Sequence, residues 1–420
     1  MDDLTWLCSP EAAVAIALAE AVLAEHPADP LAAGTELRRR APHLSPGEAR
    51  AALEQAALRH TAAQRHGIDA SSLLLTRDGL EQATRPVVAA HRAQALRAAG
   101  VRRVLDLTGG IGLDAQACVE AGLIVTALER DPGITALLRH NVPGAEIICA
   151  DATDLLALPP LLASLEPTDA VFVDPARRAH GGPRDLASGR ARPERDPERW
   201  SPPWSFVADL PHPRVVVKAA PGFDPPRGWH AQWTSVGRVV VECAVFSWPL
   251  FATSRRAVVL SDHGSAALDA VDRALPVEPA VGSWLLEPDP AVLAASAQSS
   301  LLQYQPDLAQ LDAGSTWLTC DAAPVSSLQH LVRAYRVIEI LDGSTKDQRR
   351  RLRELGIDRL VVKCRDVRRD PQQVLRELRC AEGGSRTLVL TTHAAAGLSV
   401  LVEPVALDPS PSDRAKRQSP

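Results

Sequence analysis

The fold is decided by the stretch Val104-Leu105-Asp106-Leu107-Thr108-Gly109-Gly110-Ile111-Gly112. An apolar run ends near Asp106, and three glycines follow it before a helix that we predict to begin at about Leu113. Glycines adopt positive φ angles without strain and let the backbone approach a ligand closely. The first N–H groups of a helix are free to bind an anionic group. The stretch therefore predicts a ligand-binding turn between a buried strand and a helix.

Short Val/Ile/Leu runs alternate with helix-length segments around and after this turn. The predicted strands are 104–107, 124–128, 146–149, 170–173 and 215–218. This alternation indicates βα units and a parallel sheet. Two further runs, 239–246 and 256–260, are joined by a connection too short for a helical crossover, so we predict them to be antiparallel neighbours. The predicted fold class is α/β: a Rossmann-like, doubly wound parallel sheet that ends in an antiparallel hairpin.

The flanking regions have a different texture. Residues 1–98 are predicted to be helical, because Ser9, the Ser45-to-Glu48 capping box and Pro86 mark helix starts. We place the central domain at 99–262 and a linker with a short helix at 263–275. A second α/β module follows at 276–405, and a tail without fixed structure at 408–420. In the second module, strands are predicted at 316–319, 336–341, 360–363, 387–391 and 399–403, and helices at 291–303, 326–334, 346–355 and 371–379.

Composition excludes several classes of protein. The net charge is -5 and the pI is about 6.2, so the chain does not coat nucleic acid through bulk charge. Its seven cysteines are scattered without a C-x-x-C pair, and its histidines lack metal-ligand spacing. No run approaches the ~18 apolar residues of a membrane span. We therefore expect a cytoplasmic protein with reduced thiols, no metal and no membrane association.

Two carboxylates follow the next two strands. Glu129 ends the second strand, about 17 residues beyond Gly112, and Asp151 follows the third. Carboxyl ends of parallel strands meet at one edge of a sheet, where such sheets bind ligands. Gly110-x-Gly112-x-x-Ala115 by itself also fits a nicotinamide-dinucleotide fingerprint. The joint register of Asp106, the glycine turn and the two carboxylates favours a different cofactor.

This combination resembles the class I S-adenosylmethionine-dependent methyltransferases. The turn resembles their first motif, D-x-G-x-G-x-G, with Thr108 in place of the first glycine, a variant similar to that of several RNA-modifying members. The resemblance spans about 160 residues and implies S-adenosylmethionine as cofactor. It implies that Glu129 binds the ribose and Asp151 the adenine amino group. The implied cofactor-binding residues are Asp106, Thr108, Gly109, Gly110, Gly112, Glu129 and Asp151.

The fourth strand runs into Asp174-Pro175-Ala176-Arg177, which resembles the motif [D/N]-P-P-[Y/F/W] of amine-directed methyltransferases. The resemblance implies catalytic roles for Asp174 and Pro175, whose side-chain and carbonyl oxygens would grip the hydrogens of a base amine. Arg177 stands where an aromatic residue usually stacks on the base, and a guanidinium can stack or clamp a phosphate. The alternative is that Asp174 caps the strand. Pyrimidine-C5 methylation is disfavoured, because it needs a cysteine that adds to the ring and no cysteine follows the fifth strand. Lys218 stands at that place, where it contacts substrate or forms a salt bridge.

Two further features bear on the substrate. Residues 178–213 contain two tryptophans, Trp200 and Trp204, and several arginines: Arg184, Arg190, Arg192, Arg195 and Arg199. This composition suits binding of single-stranded nucleic acid, but it also suits a solvated loop. Residues 349–353 and the later Lys363, Arg365, Arg368 and Arg369 form basic clusters that indicate either a phosphate-facing surface or a solvated helix face.

The order of the regions, with residues 75–84 ahead of the central domain, resembles bacterial methyltransferases that carry a THUMP-like C-terminal domain. That resemblance implies RNA, either tRNA or rRNA, as partner. We predict a methyltransferase that acts on an exocyclic base amine in RNA. The alternatives are a small-molecule methyltransferase, a nicotinamide-dependent enzyme and a non-catalytic scaffold that binds S-adenosylmethionine or RNA.

Overall fold

A computed structural model describes residues 3–27, 29–154, 156–177, 194–262, 264–278, 280–393 and 396–407. The chain divides into two compact units, and we describe each by itself. The first is Met1–Ala219 with Val245–Leu250, and the second is Ala220–Ala244 with Phe251–Pro420. The predicted tail 408–420 lies outside the described residues. No helix in the described part of the chain is long and apolar enough to cross a membrane.

The first unit begins with a helical region. Its helices are α1 (Asp3–Leu7), α2 (Pro10–Glu25), α3 (Pro30–Arg40), α4 (Pro46–Thr61), α5 (Arg77–Gln82) and α6 (Pro86–Ala98). The predicted starts are confirmed: the Ser9 side chain caps α2, and Ser45 with Glu48 forms a capping box on α4. Both α3 and α5 were missed, although Asp29 and Thr76 cap them. Residues of this region share a hydrophobic cluster with Leu137, so they pack directly against the α/β part of the unit.

The α/β part of the first unit follows the predicted pattern. Its elements are β1 (Arg103–Asp106), α7 (Leu113–Glu120), β2 (Ile124–Glu129), α8 (Pro132–Asn141), β3 (Glu146–Cys149), α9 (Leu158–Ala163), β4 (Ala170–Val173), α10 (Trp204–Ala208) and β5 (Val215–Ala219). The strand order is β3-β2-β1-β4-β5, and all four pairings are parallel. β4 and β5 are buried along their whole length, as expected for central strands covered on both faces.

The hairpin that ends the sheet is built from other strands than predicted. The elements here are β6 (His230–Val236), β7 (Val239–Phe246), β8 (Arg255–Ser261) and β9 (Gly264–Asp269). The strand order here is β7-β6-β8-β9, so β6 and β7 are neighbours. They are joined by Gly237 and Arg238, both of which have positive φ, as in a tight hairpin turn. β8, predicted to pair with 239–246, instead pairs in parallel with β6 and antiparallel with β9. β9 also replaces the helix predicted within 263–275.

The missed strand explains the error. β6 reads His-Ala-Gln-Trp-Thr-Ser-Val, and its polar residues Gln232, Thr234 and Ser235 are buried. A strand with buried polar residues lacks the apolar run on which the prediction relied. The end of the β7 segment, Val245–Leu250, belongs to the first unit, where the N–H of Ser247 donates to the carbonyl of Val215 at 2.9 Å.

The rest of the second unit is built around a mixed sheet. Its elements are β10 (Trp284–Pro288), α11 (Pro290–Ala294), β11 (Ala309–Gln310), β12 (Leu318–Cys320), β13 (Val332–Ile340), α12 (Thr345–Glu354), β14 (Arg359–Cys364), α13 (Pro371–Leu378), β15 (Ala381–His393) and β16 (Ala396–Val405). The order is β11-β12-β10-β13-β16-β15-β14. The helices α12 and α13 cover one face through Leu352, Leu375 and Leu378. The helix predicted at 326–334 is wrong, because a short 3-10 turn there leads into β13.

Candidate active site

A cleft of about 910 Å³ opens at the carboxyl ends of the parallel strands in the first unit. Cofactor and small-molecule sites are typically ~300–1,000 Å³. The cleft spans the point between β1 and β4 where the strand order reverses, which is where open α/β sheets bind ligands. It is lined by residues 76–79, 82–84, 106–114, 128–132, 150–153 and 201–203, together with Ile134, Asp174, Ala176 and Lys218.

The glycine turn after β1 is held in place from outside. The side-chain amide of Asn141, at the end of α8, donates to the carbonyls of Ile111 and Leu74, both at 2.8 Å. Its oxygen accepts the N–H of Leu74, also at 2.8 Å. The N–H of Gly109 donates to the carbonyl of Leu128 at 2.8 Å. The turn is therefore fixed to α8, to β2 and to the helical region that precedes the sheet.

The three glycines of the turn have different roles. A Cβ on Gly109 would lie 2.6 Å from Leu138, and one on Gly112 would lie 2.5 Å from Val142, so both glycines allow α8 to pack closely. Gly110 has a φ of +52°, and a Cβ there would meet nothing closer than 3.9 Å. Since Gly110 lines the cleft, a side chain at this position would enter the space available to a ligand.

Two predicted carboxylates stand around the turn. Glu129 accepts the N–H of Gly110 at 3.1 Å with one oxygen and the N–H of Asp131 at 2.9 Å with the other. Each oxygen keeps a second lone pair for a ligand hydroxyl. Asp151 accepts the N–H and hydroxyl of Thr153 at 2.8 and 2.7 Å, and these bonds lower the pKa of the Asp151 carboxyl. The structure thus brings both residues to the cleft, with acceptor capacity left over.

Asp106 ends β1 and is only 2% exposed. Burial raises the pKa of its carboxyl to about 7, because burial disfavours the charged form and the carboxylates of Asp114 and Asp174 lie nearby. The N–H of Thr108, which donates to Asp106 at 2.9 Å, acts in the opposite sense. This carboxyl therefore changes its charge near neutral pH.

The predicted catalytic residues follow β4. The N–H of Asp174 donates to the Thr108 hydroxyl at 2.6 Å, which gives a physical reason for a threonine in this turn. The Asp174 side chain lines the cleft, whereas neither Pro175 nor Arg177 is among the described residues that line it. The carbonyl of Arg177 accepts the N–H of Glu194 at 2.7 Å. The structure therefore places only Asp174, of the three, at the ligand space.

A buried charge network continues from Asp174. The ammonium of Lys218, at the end of β5, lies 2.6 Å from the Asp174 carboxylate and 3.5 Å from that of Asp114. The salt bridge considered for Lys218 from the sequence is thus present. Asp114 also accepts the Thr84 hydroxyl at 2.8 Å and pairs with Arg92. Burial acts to raise the pKa of the Asp114 carboxyl, but Lys218 and Arg92 outweigh it and lower that pKa.

Sequence reasoning missed one wall of the cleft. Residues 76–79 and 82–84, around the short helix α5, line it from the helical region. The contact is close, since a Cβ on Gly79 would lie 2.7 Å from the side chain of Ile111. The polar run Thr76-Arg77-Asp78-Gly79, set between apolar residues, is the signal that could have indicated a site.

The predicted substrate loop is described only in part. Residues 178–193, with Arg184, Arg190 and Arg192, lie outside the described residues. Trp200 is 4% exposed and donates its ring N–H to the carbonyl of Glu194 at 3.3 Å, so it packs inward and offers no face to a base. Arg199 lies 3.7 Å from Asp196. Ser201 to Pro203 line the cleft.

The basic run on α12 in the second unit is largely offset by acids. Arg350 lies 3.2 Å from Asp347, and Arg351 lies 2.8 Å from Glu339 and 3.1 Å from Glu354. Ion pairs of this kind are typical of a solvated helix face and leave little unpaired positive charge for binding phosphate. Within the described part of the chain, no group of three or more His, Cys, Asp or Glu side chains could hold a metal ion.

A second basic cluster surrounds Glu287 on β10, which is 3% exposed. Lys363 lies 2.7 Å and Arg365 2.9 Å from its carboxylate, and Arg238 lies 3.7 Å away. The hydroxyl of Tyr335 donates to it at 3.1 Å. Burial acts to lower the pKa of Lys363, and the Arg238 charge adds to this effect. We call Glu287, Lys363, Arg365 and Arg238 the Glu287 cluster. Its three cations surround one buried carboxylate, and Arg238 also lies 3.8 Å from the buried carboxylate of Asp289.

Comparison with known proteins supports this view of the chain. Residues 332–404 match a family model described as "THUMP domain-like", and residues 1–62 match a domain of unknown function, DUF8688. Two curated proteins of Mycobacterium tuberculosis, from strains CDC 1551 and H37Rv, are each 29% identical over 379 residues, or 83% of this chain and 94% of the relative. Both are described as uncharacterized S-adenosylmethionine-dependent methyltransferases.

The fold has a counterpart among solved structures. A crystal structure from Porphyromonas gingivalis W83, described as a "putative methyltransferase", matches with a TM-score of 0.68 and 20% identity. The match covers 86% of this chain and 92% of that chain. The curated relatives and the THUMP-like match together support an S-adenosylmethionine-dependent methyltransferase with a THUMP-like domain at its C-terminus, and the solved structure shows a similar fold.

Proposed function

We propose that this methyltransferase transfers a methyl group to an exocyclic amine of a base in RNA, and that Asp174 holds the acceptor amine. The observation that carries the proposal is the position of Asp174. Its carboxylate lines the cleft at the end of β4, next to the glycine turn that follows β1. Strand ends β1 to β3 supply the candidate cofactor contacts, which leaves the end of β4 for the acceptor.

The residues around the cleft fit S-adenosylmethionine. Gly110 leaves open space where any side chain would intrude. Glu129 is oriented by two backbone N–H groups and keeps lone pairs for the ribose hydroxyls. Asp151 and the partly protonated Asp106 provide further acceptors. When bound, the cofactor supplies a methyl group activated by a positive sulfonium.

Asp174 acts on the acceptor. A base amine is a weak nucleophile because its lone pair is delocalised into the ring. A carboxylate that accepts one amine hydrogen fixes the nitrogen and directs the lone pair along the line of attack. Well-oriented intramolecular reactions gain ~7–11 kcal/mol over unoriented ones, so this positioning is a large part of what the transfer needs. The carboxylate also attracts the proton that the nitrogen must lose after methylation.

The choice of RNA rests on the second unit. Its THUMP-like match suggests nucleic-acid contact, and in the Glu287 cluster three cations face two buried carboxylates, Glu287 and Asp289, which leaves one positive charge in excess. Phosphate groups bind where such positive charge is fixed and partly desolvated. The overall charge of -5 means that this contact must be local.

The test is incubation of the purified protein with labelled S-adenosylmethionine and total bacterial RNA, followed by nucleoside analysis. We expect label in an N-methylated base, and none with Asp174→Ala. A parallel incubation with an RNA-free extract of small molecules is the control. Label only in the small-molecule fraction would move the assignment to a small-molecule methyltransferase. No label in either, with intact cofactor binding, would favour a non-catalytic scaffold.

A further inference from the structure

Lys218 is a buried cation at the reacting end of the cleft. Its side chain is 8% exposed, and it lies at the end of β5, which is buried along its whole length. A buried ammonium is costly unless it is paired and hydrogen-bonded. Its closest partner is Oδ2 of Asp174 at 2.6 Å, and Oδ2 of Asp114 lies 3.5 Å away. The pair of carboxylates therefore fixes the position of the ammonium.

Asp114 is itself fixed from the opposite side. The Thr84 hydroxyl donates to its Oδ2 at 2.8 Å, and the Arg92 guanidinium pairs with its Oδ1. Arg92, on α6, is 4% exposed and lies 4.9 Å from the centre of the Phe172 ring. Residues of the helical region thus set the position of Asp114, and through it that of Lys218.

This arrangement leaves the two oxygens of Asp174 in different situations. Oδ2 is engaged by Lys218, and among the described residues no bond to Oδ1 is seen, so Oδ1 is the oxygen that we assign to a ligand hydrogen. Lys218 contacts Asp174 directly, and the Asp174 charge also acts on the buried Asp106 carboxyl. Asp114 and its partner Arg92 join this network through Lys218. Within the described part of the chain, Lys218 is the cation recorded in contact with Asp174.

We propose that Lys218 is a positioning residue for methyl transfer: it holds the Asp174 carboxylate by one oxygen so that the other oxygen faces the acceptor amine. The proposal rests on the proposed function of Asp174. Loss of the Lys218 charge would remove the cation in contact with the Asp174 carboxylate, and an opposite charge at such a distance favours the ionised form of a carboxyl group. A protonated carboxyl would be a poorer acceptor for the amine hydrogen and a poorer base for its proton.

The first test is the pH dependence of methyl transfer to total bacterial RNA, measured with labelled S-adenosylmethionine from pH 5.5 to 9. Rates are compared as the ratio of each variant to the wild type at each pH, so that the titration of other groups in the cleft, such as Asp106, cancels. Lys218→Met should be slower than the wild type by at least about 30-fold at pH 6 and should recover part of that loss toward pH 9, with cofactor affinity changed less than about threefold. Lys218→Arg should give a ratio that does not change with pH, because it restores the charge. A Lys218→Met profile parallel to that of the wild type would overturn the proposal.

A second test needs no methyl acceptor and covers the case in which RNA is not the substrate. Aspartate carboxyl carbons are labelled with carbon-13, and the Asp174 signal is assigned by its loss in Asp174→Asn. In Lys218→Met this signal should titrate at least one pH unit higher than in the wild type, and in Lys218→Arg it should titrate as in the wild type. Equal titration in all three proteins would overturn the proposal. Failure of total RNA to accept methyl groups would count against the proposed substrate alone. If Lys218→Met does not fold, Lys218→Gln, which retains a hydrogen-bond donor, takes its place in both tests.

Discussion

The cleft of the first unit and the basic surface of the second unit are both rich in charge, but they are organised differently. In the cleft, charged side chains from six separate segments converge on one space, and Asp106 and Lys218 among them are buried. On α12, by contrast, the arginines follow one another along a single helix, and acids such as Asp347 and Glu339 pair with them. The Glu287 cluster resembles the cleft more than it resembles α12, because its members come from distant parts of the chain.

The difference teaches which signals in a sequence carry functional information. Parallel strands end at a common edge, so a residue at a strand end has a known destination once the strand is recognised. The surroundings of a run of like charges cannot be predicted in this way, because its ion-pair partners come from other parts of the chain. Substitutions at strand ends in the cleft should therefore change ligand binding and rate far more than substitutions in a run of like charges.

The largest effect is expected from Gly110→Val. The valine side chain would enter the cleft, and the φ of +52° at this position is unfavourable for a β-branched residue. We expect loss of S-adenosylmethionine binding by at least about 10²-fold, measured by calorimetry, with a melting temperature within a few degrees of the wild type. Binding of the demethylated product should be lost in parallel, and NAD should not bind either protein.

Gly112→Ala is the matched control. Its φ is +92°, and its Cβ would lie 2.5 Å from Val142 inside the packed interior. This variant should have a lower melting temperature than the wild type, whereas Gly110→Val should stay folded and lose cofactor affinity. Near-normal cofactor affinity in Gly110→Val would show that the cofactor lies elsewhere.

Asp174→Ala should lower the rate of methyl transfer by at least about 10²-fold, the scale for losing one contact in a transition state. Cofactor affinity should change only a few fold, because the candidate cofactor contacts come from the ends of β1 to β3. The measurement combines a thermal melt, a cofactor titration and a single-turnover rate on the same sample. An unchanged rate in folded, cofactor-bound protein would rule out the catalytic role.

The sequence was sufficient to predict which residues lie at the cleft where their position follows from strand topology. Asp106, Glu129, Asp151 and Asp174 all line the cleft, because each stands at or just after the end of a recognisable apolar strand. Their roles toward a ligand stay predictions. Pro175 and Arg177 were selected by motif resemblance alone, and they are not among the described residues that line the cleft.

What the sequence did not predict is which distant residues pair with one another. It allows a salt bridge for Lys218 but does not indicate the partner, Asp174, 44 positions away. The Ser235 hydroxyl on β6 likewise donates to Asp289 across 54 positions at 2.6 Å. Such a bond makes a buried polar side chain acceptable in a strand, yet nothing in the local sequence of β6 indicates its partner. The same limit applies to Asp114, whose partners come from β5 and from the helical region.

Asp106→Asn should stabilise the ligand-free protein at alkaline pH. Because the pKa of Asp106 is raised to about 7 in the folded state, the folded protein retains a proton that the unfolded chain releases near pH 4. The wild type therefore loses stability as the pH rises from about 4 to 7. Asparagine keeps the acceptor for the Thr108 N–H without this cost. We expect the variant to gain about 2 kcal/mol relative to the wild type at pH 8, less than the full shift implies because the cleft admits water.

The measurement is urea unfolding of both proteins at pH 5 and at pH 8. The advantage of the variant should be small at pH 5 and larger at pH 8. An advantage that does not change with pH would show that Asp106 is ionised in the folded protein at both values.

The smallest effect concerns RNA affinity and compares two arginines of the second unit. Arg365, in the Glu287 cluster, shares the buried Glu287 carboxylate with Lys363 and Arg238, and Arg238 is also offset by Asp289 at 3.8 Å, so one positive charge remains for a phosphate. Arg350, on α12, is offset by Asp347 at 3.2 Å and by Glu354 at 3.8 Å. Arg365→Gln should therefore weaken binding of bulk tRNA about three- to fivefold and reduce the slope of log affinity against log salt by about 1, as expected for one lost phosphate contact. Arg350→Gln, which removes the same charge, should change affinity by less than about 1.5-fold. Equal losses would mean that RNA affinity depends only on the total charge of the unit. A larger loss for Arg350→Gln would place the RNA contact on α12 and not at the Glu287 cluster.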